Sequence, residues 1–179
     1  MSSYHNVLLS PLDQLMPRTY TRIFLLFVTP TPSSAISAFR TGWEKTCTQL
    51  SYLKGYVYQT ENQRGHLAVV WSDNLPIPEV SHKGRLDLSY EVIISHGTPL
   101  SAFKDDLCPV RVAANHSTQD EKAPVLAASV GELEGGVFVC IAVHHNVMDG
   151  VGFGDLVDLI ARNTNSTQEA SATLLDPDE

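Results

Sequence analysis

The chain has 179 residues, 43% hydrophobic and 18% charged, and a mean hydropathy of -0.05. That composition excludes a disordered acidic chain and a fibrous repeat, and the length suits one domain with its own core. The formal net charge is -8, but four of the twenty acids (Glu169, Asp176, Asp178, Glu179) follow the last base, Arg162. No basic stripe remains to follow a phosphate backbone, so no nucleic-acid partner is expected.

Residues 10 to 18 carry two prolines and read as an extended lead-in. Tyr20 to Thr29 is apolar and β-rich, and Pro30 and Pro32 close it as a strand. The apolar run Ile23 to Val28 is far shorter than the ~20 residues of a membrane span. No basic segment precedes an apolar stretch at the start, so the expectation is a cytoplasmic domain without a membrane partner. Ile36, Phe39, Trp43, Cys47 and Leu50 recur every three to four residues and predict a helix over about 33–52.

Gly55 to Thr60 and His66 to Ser72 read as a hairpin, with Asn62 to Gly65 as its turn. Asp87 to Ser95 is a strand candidate, Pro99 to Cys108 a short helix, and 112–122 a polar surface loop. Val125 to Leu133 and Val137 to Val143 are strands joined at Glu134-Gly135-Gly136. The second is apolar at seven consecutive positions, which places it mid-sheet. Gly152 to Arg162 predicts a helix, and 163–179 an acidic polar linker or tail after a domain of 1–162. Strands and helices mixed in this order predict an α/β sandwich with a mixed sheet.

Between that central strand and the last helix stands His144-His145-Asn146-Val147-Met148-Asp149-Gly150. Alternation puts Val137, Val139, Ile141, Val143 and His145 on one face. Phe138, Cys140, Ala142 and His144 take the other. The two imidazoles therefore point apart and are poorly placed to share a metal ion. Asp149 is read as orienting an imidazole or holding the turn, and Gly150 as marking a tight turn before the helix. A lone histidine here would read as a core residue satisfied by a carbonyl; two histidines, an acid and a glycine make a functional cluster. A metal-dependent hydrolase using His144, His145 and Asp149 competes, but His145 and Asp149, four apart, would sit together only on a helix, and no metal is expected. The three cysteines (Cys47, Cys108, Cys140) form no CxxC pair, and Cys140 reads as an inert core thiol.

The segment 144–150 resembles the HHxxxDG signature of the coenzyme A-dependent acyltransferase superfamily. That superfamily includes chloramphenicol acetyltransferases, peptide-synthetase condensation domains and BAHD acyltransferases. Leu9-Ser10-Pro11-Leu12-Asp13-Gln14 is similar to the start of fungal BAHD-type enzymes, the trichothecene 3-O-acetyltransferase-like group among them. Pro124 to Arg162 is similar to the same group. The resemblance implies a chloramphenicol acetyltransferase-like two-layer sandwich forming one half of a two-domain enzyme. It implies an acyl-CoA co-substrate, no permanently bound cofactor, and a small secondary-metabolite alcohol or amine as acceptor.

By the same resemblance His145 is the general base. Asp149 supports the site, turned away and bonded to an arginine, with Arg18 or Arg22 as candidates; His144 and Gly150 are structural. The family's DFGWG motif does not occur here, and Gly152-Phe153-Gly154-Asp155 does not replace it. A missing second domain, a partner chain or self-association is therefore expected to complete the site. The other reading is a catalytically inactive, truncated acyltransferase-like interaction module.

Overall fold

The computed structural model describes residues 4–61, 65–113 and 122–173. The chain runs β1 (His5–Leu8), α1 (Pro11–Leu15), β2 (Tyr20–Val28), α2 (Pro32–Gln49), β3 (Tyr56–Gln59) and β4 (Leu67–Trp71). It continues through β5 (Val80–Ser89), α3 (Tyr90–Ser95), β6 (Ala123–Pro124), β7 (Leu126–Glu134), β8 (Gly136–His144) and α4 (Gly150–Thr173). The larger sheet has the order β2-β8-β7-β5 and the smaller β1-β4-β3-β6. In the larger sheet β8 runs antiparallel to both neighbours while β5 and β7 are parallel, so this sheet is mixed, as expected. The smaller sheet is antiparallel throughout.

All nine residues of β8 are buried. Val137, Val139, Ile141 and Val143 join the cluster that α2 and α4 cover, with Ile36, Phe39, Trp43, Phe153, Leu156 and Ile160. Phe138 and Cys140 face the other way, against Ile93, Phe103, Leu107 and Cys108. The two faces therefore divide along the predicted alternation. Gly135, at φ +79°, makes the turn between β7 and β8 that the pair Gly135-Gly136 announces.

Several boundaries depart from the sequence reading. The lead-in holds β1 and a short helix, because Pro11 sits at a position where a helix needs no N–H. Ser10 and Asp13 close a capping box around the start of that helix. The strand expected at 87–95 lies instead at Val80–Ser89, and Tyr90–Ser95 is helical. β5 is a sheet edge carrying His82, Lys83, Arg85 and Asp87, so its solvated side hides the apolar alternation. The helix expected at Pro99–Cys108 is two 3-10 turns, Leu100–Ala102 and Asp105–Leu107. The helix expected to stop at Arg162 continues to Thr173. Contacts with α2 carry it on: Asn163 donates to Thr46 at 2.9 Å and to Gln49 at 3.0 Å. Most of the turn expected at 62–65, most of the loop at 112–122, and 174–179 lie outside the described residues.

No helix among the described residues is long and apolar enough to cross a membrane. Helices α2 and α4 approach so closely that a Cβ on Gly42 would lie 2.8 Å from the Thr164 backbone nitrogen. Cys47, Cys108 and Cys140 are all buried. The Cys47 and Cys140 thiols are pushed up to about 12, Cys47 by burial and Cys140 by burial first and the adjacent Cys108 second.

Two outcomes follow from this packing. Gly42→Ala is expected to cost about 1–3 kcal/mol, read as a lower urea midpoint at unchanged m-value, because the helix backbones must part. Unfolded thiols ionise near pH 9 and the folded Cys47 and Cys140 near 12. Their contribution is therefore whole below pH 9 and declines as pH rises above it. The urea midpoint should fall on going from pH 8 to about pH 10, and should fall less in a Cys47→Ala, Cys140→Ala variant.

Candidate functional site

The strand β8 ends against partners on both sides. The His144 amide donates to the Val125 carbonyl at 3.0 Å, and the His145 amide to the Thr19 carbonyl at 2.9 Å. Alternate amides thus go to opposite neighbours, so the pleat persists through both histidines. Val147 then donates back to the His144 carbonyl at 2.9 Å and turns the chain toward α4.

His144 is fully buried. Its ring meets Tyr20 edge-on at 5.3 Å, and its Nδ1 accepts the Asn146 amide at 3.3 Å. An accepting Nδ1 is the unprotonated nitrogen of a neutral ring, so the proton belongs on Nε2. Burial also raises the Tyr20 phenol, whose hydroxyl donates to the Pro124 carbonyl at 2.7 Å.

His145 is half-buried. Its Nδ1 is buried and has no hydrogen-bond partner. A half-buried imidazole at the end of an apolar strand is of a residue type suited to general acid–base work.

Asp149 is exposed and caps α4: its Oδ1 accepts the Gly152 amide at 2.8 Å, and its carbonyl accepts from Phe153 at 2.9 Å. Neither arginine proposed for it is engaged there. Arg22 pairs with Asp105 at 3.1 Å, and Arg18 donates to the Gly65 carbonyl. Gly150 is the first residue of α4, and a Cβ added to it would meet nothing within 4 Å. The tight position is Gly152, whose added Cβ would lie 3.0 Å from Met148 Cγ. The turn thus needs its small residue two places later than the sequence reading put it.

Sequence reasoning passed over Asn146. It is fully buried, and its Nδ2 donates to the Asp13 carbonyl at 2.5 Å and the Met16 carbonyl at 3.0 Å. The type of residue, a polar amide directly after a buried strand, was the available signal. Beside the turn lies an open cleft of about 560 Å³ bounded by Asp13, Tyr52, Met148, Asp149, Asp155 and Arg162. Among the described residues no three His, Cys, Asp or Glu side chains group closely enough to hold a metal ion.

A family model described as the trichothecene 3-O-acetyltransferase-like N-terminal domain matches residues 19–164. Among curated proteins, a trichothecene 8-O-acetyltransferase of Fusarium sporotrichioides is 32% identical over 96% of this chain and 38% of its own length. The communesin N16 acyltransferase cnsK of Penicillium expansum is 27% identical over 89% of this chain and 35% of its own. Among solved structures, F. graminearum TRI101 with ethyl coenzyme A superposes at a TM-score of 0.78 and 21% identity, covering 92% of this chain and 40% of that one. The same protein with coenzyme A and T-2 mycotoxin gives 0.76 at 21% identity, covering 90% and 40%. The chain thus spans about two fifths of the length of these relatives.

The cap at Asp149 generates a stability prediction. Asp149→Ala should cost about 0.5–2 kcal/mol through loss of the bond to Gly152, and Asp149→Asn only a few tenths, by urea denaturation. Equal losses in the two variants would show that the charge, not the cap, is what matters.

Proposed function

Given that the chain belongs to the trichothecene 3-O-acetyltransferase-like N-terminal domain family, we propose that it forms one half of an acyltransferase. That enzyme moves an acyl group from acyl-CoA to a hydroxyl, or an amine, of a small secondary metabolite in the cytoplasm. The relatives' names support the reaction class: they are an acetyltransferase of a trichothecene and an acyltransferase of communesin. TRI101 was solved with coenzyme A and T-2 mycotoxin, a thioester carrier's thiol form beside a small-molecule partner. The acyltransferase-like domain proposed for 1–162 takes in Asn163 and Thr164 as well, since both pack on α2.

The observation that carries the proposal is the half-buried His145 ring at the end of a fully buried central strand. In the reaction, His145 accepts the proton of the acceptor hydroxyl as its oxygen attacks the thioester carbonyl. The carbon–oxygen bond forms, the carbon–sulfur bond breaks, and the proton passes to the departing thiolate. His144 supports the turn, and Asp149 and Gly150 start the helix that follows it. Coenzyme A is a co-substrate.

The second half is supplied by a further domain, a partner chain or a second copy. Leu12 and Leu15 on α1 and Val151 at the start of α4 are exposed on elements that adjoin the turn. Apolar side chains gathered beside a proposed site are what a complementary lobe would cover.

In the completed enzyme, His145→Ala and His145→Gln should each lower the acyl-transfer rate about 10²- to 10⁴-fold. An unchanged rate would remove His145 as the base. With the 179-residue chain alone, activity rising as the square of concentration would identify a second copy as the missing half. Activity only on adding a separate second domain would identify that domain. No transfer in either case would favour the inactive interaction module.

A further inference from the structure

Helix α1 has no buried residue, and Leu12 and Leu15 on it are 71% and 79% exposed. Hydrophobic burial does not hold it in place. Hydrogen bonds do, at both of its flanks.

On one side Gln14 acts as a surrogate peptide group. Its Nε2 donates to the Leu67 carbonyl at 2.8 Å, and its Oε1 accepts the Leu67 amide at 2.8 Å. The same Nε2 reaches the Leu9 carbonyl at 3.2 Å. This extends the β1–β4 ladder by one side chain and anchors α1 to the smaller sheet. On the other side, the carbonyls of Asp13 and Met16 receive both donors of Asn146. Between the two anchors the capping box of Ser10 and Asp13 keeps the single helical turn intact.

We infer that Asn146 is a positioning residue for His145, and that α1, anchored by Gln14, is the strut through which it acts. The catalytic meaning of this rests on the proposed role of His145; the geometry does not. Nδ1 of His145 has no polar partner, so no hydrogen bond orients that edge of the ring. Its place is set by the backbone on either side: the amide bond to Thr19 before it and the fixed Asn146 after it. The orientation of the Asn146 amide is not arbitrary. Both of its partners are carbonyls, which only accept, so Nδ2 must face them. Its Oδ1 is buried without a partner, so all of its bonding is spent on α1. The adjacent amide of Asn146 meanwhile donates to the His144 ring. One residue therefore ties the buried histidine, the proposed base and the N-terminal helix together.

The test uses histidine-labelled 179-residue chain and reads ring nitrogen shifts and titration midpoints by NMR. Asn146→Ala and Gln14→Ala should each move the His145 midpoint and ring signals while His82 and His96, away from both anchors, stay as they are. Leu12→Ser, on the same helix but outside the anchors, should move none. A variant that only loosened the fold would lower the urea midpoint and leave the His145 ring of the folded population unchanged. That result in the folded Gln14→Ala and Asn146→Ala chains overturns the inference. Should Asn146→Ala not fold, Gln14→Ala carries the test, because it leaves the buried amide in place. In the completed enzyme both variants should lower kcat about 10- to 100-fold with KM little changed, the size expected from a misplaced base. If His145→Ala leaves the rate unchanged, the base assignment fails while the ring titrations still decide the positioning role.

Discussion

A strand buried on both faces has no solvent to satisfy its backbone, so every amide and carbonyl must find a partner in the protein. β8 meets that condition by lying between β2 and β7, with paired neighbours along its length. The condition extends past the strand's end. His144 and His145 still donate to Val125 and Thr19 before the chain is free to turn. The imidazole proposed as base therefore leaves the sheet at a place fixed by main-chain bonding, where its side chain first reaches the surface.

The turn that follows is as constrained as the strand. His144 accepts from Asn146, Asn146 grips α1, and Asp149 begins α4. His144, Asn146 and Asp149 thus each have local bonding to complete, whatever chemistry occurs beside them. This explains how a short run of polar residues can emerge from an apolar sheet with a single conformation. It also assigns work to the opening Leu-Ser-Pro-Leu-Asp-Gln segment. Far apart in sequence, that segment and the turn are joined by the Asn146 amide.

Behind the site, α2 and α4 cover one face of the larger sheet, and their approach at Gly42 and Thr164 sets how closely they can lie. Close packing of this kind makes the helix pair a stiff backing for β8. On the opposite face α3 and the two 3-10 turns supply Ile93, Phe103 and Leu107, and Phe103 stacks on Phe24 of β2 at 4.6 Å.

The apolar run 137–143, its alternation, and the helix period of Ile36, Phe39, Trp43 and Cys47 were readable from residue order, because burial at periods of 2 and 3.6 leaves its mark there. The HHxxxDG-like segment was readable for the same reason, as polar residues abruptly following an apolar run. α1 also left a signal, Ser10-Pro-Leu-Asp13, a capping box with proline at the first position. Its two-proline neighbourhood obscured it. Other features had no local mark. β5 is a strand because β7 lies beside it, although its charged edge reads as loop, and α4 outlasts its polar residues because α2 receives Asn163. Asn146 reads in one dimension as a spacer between a histidine and a valine. Only the folded chain brings the carbonyls of Asp13 and Met16 to it, because hydrogen bonds between residues 130 and 133 positions apart are decided by tertiary packing.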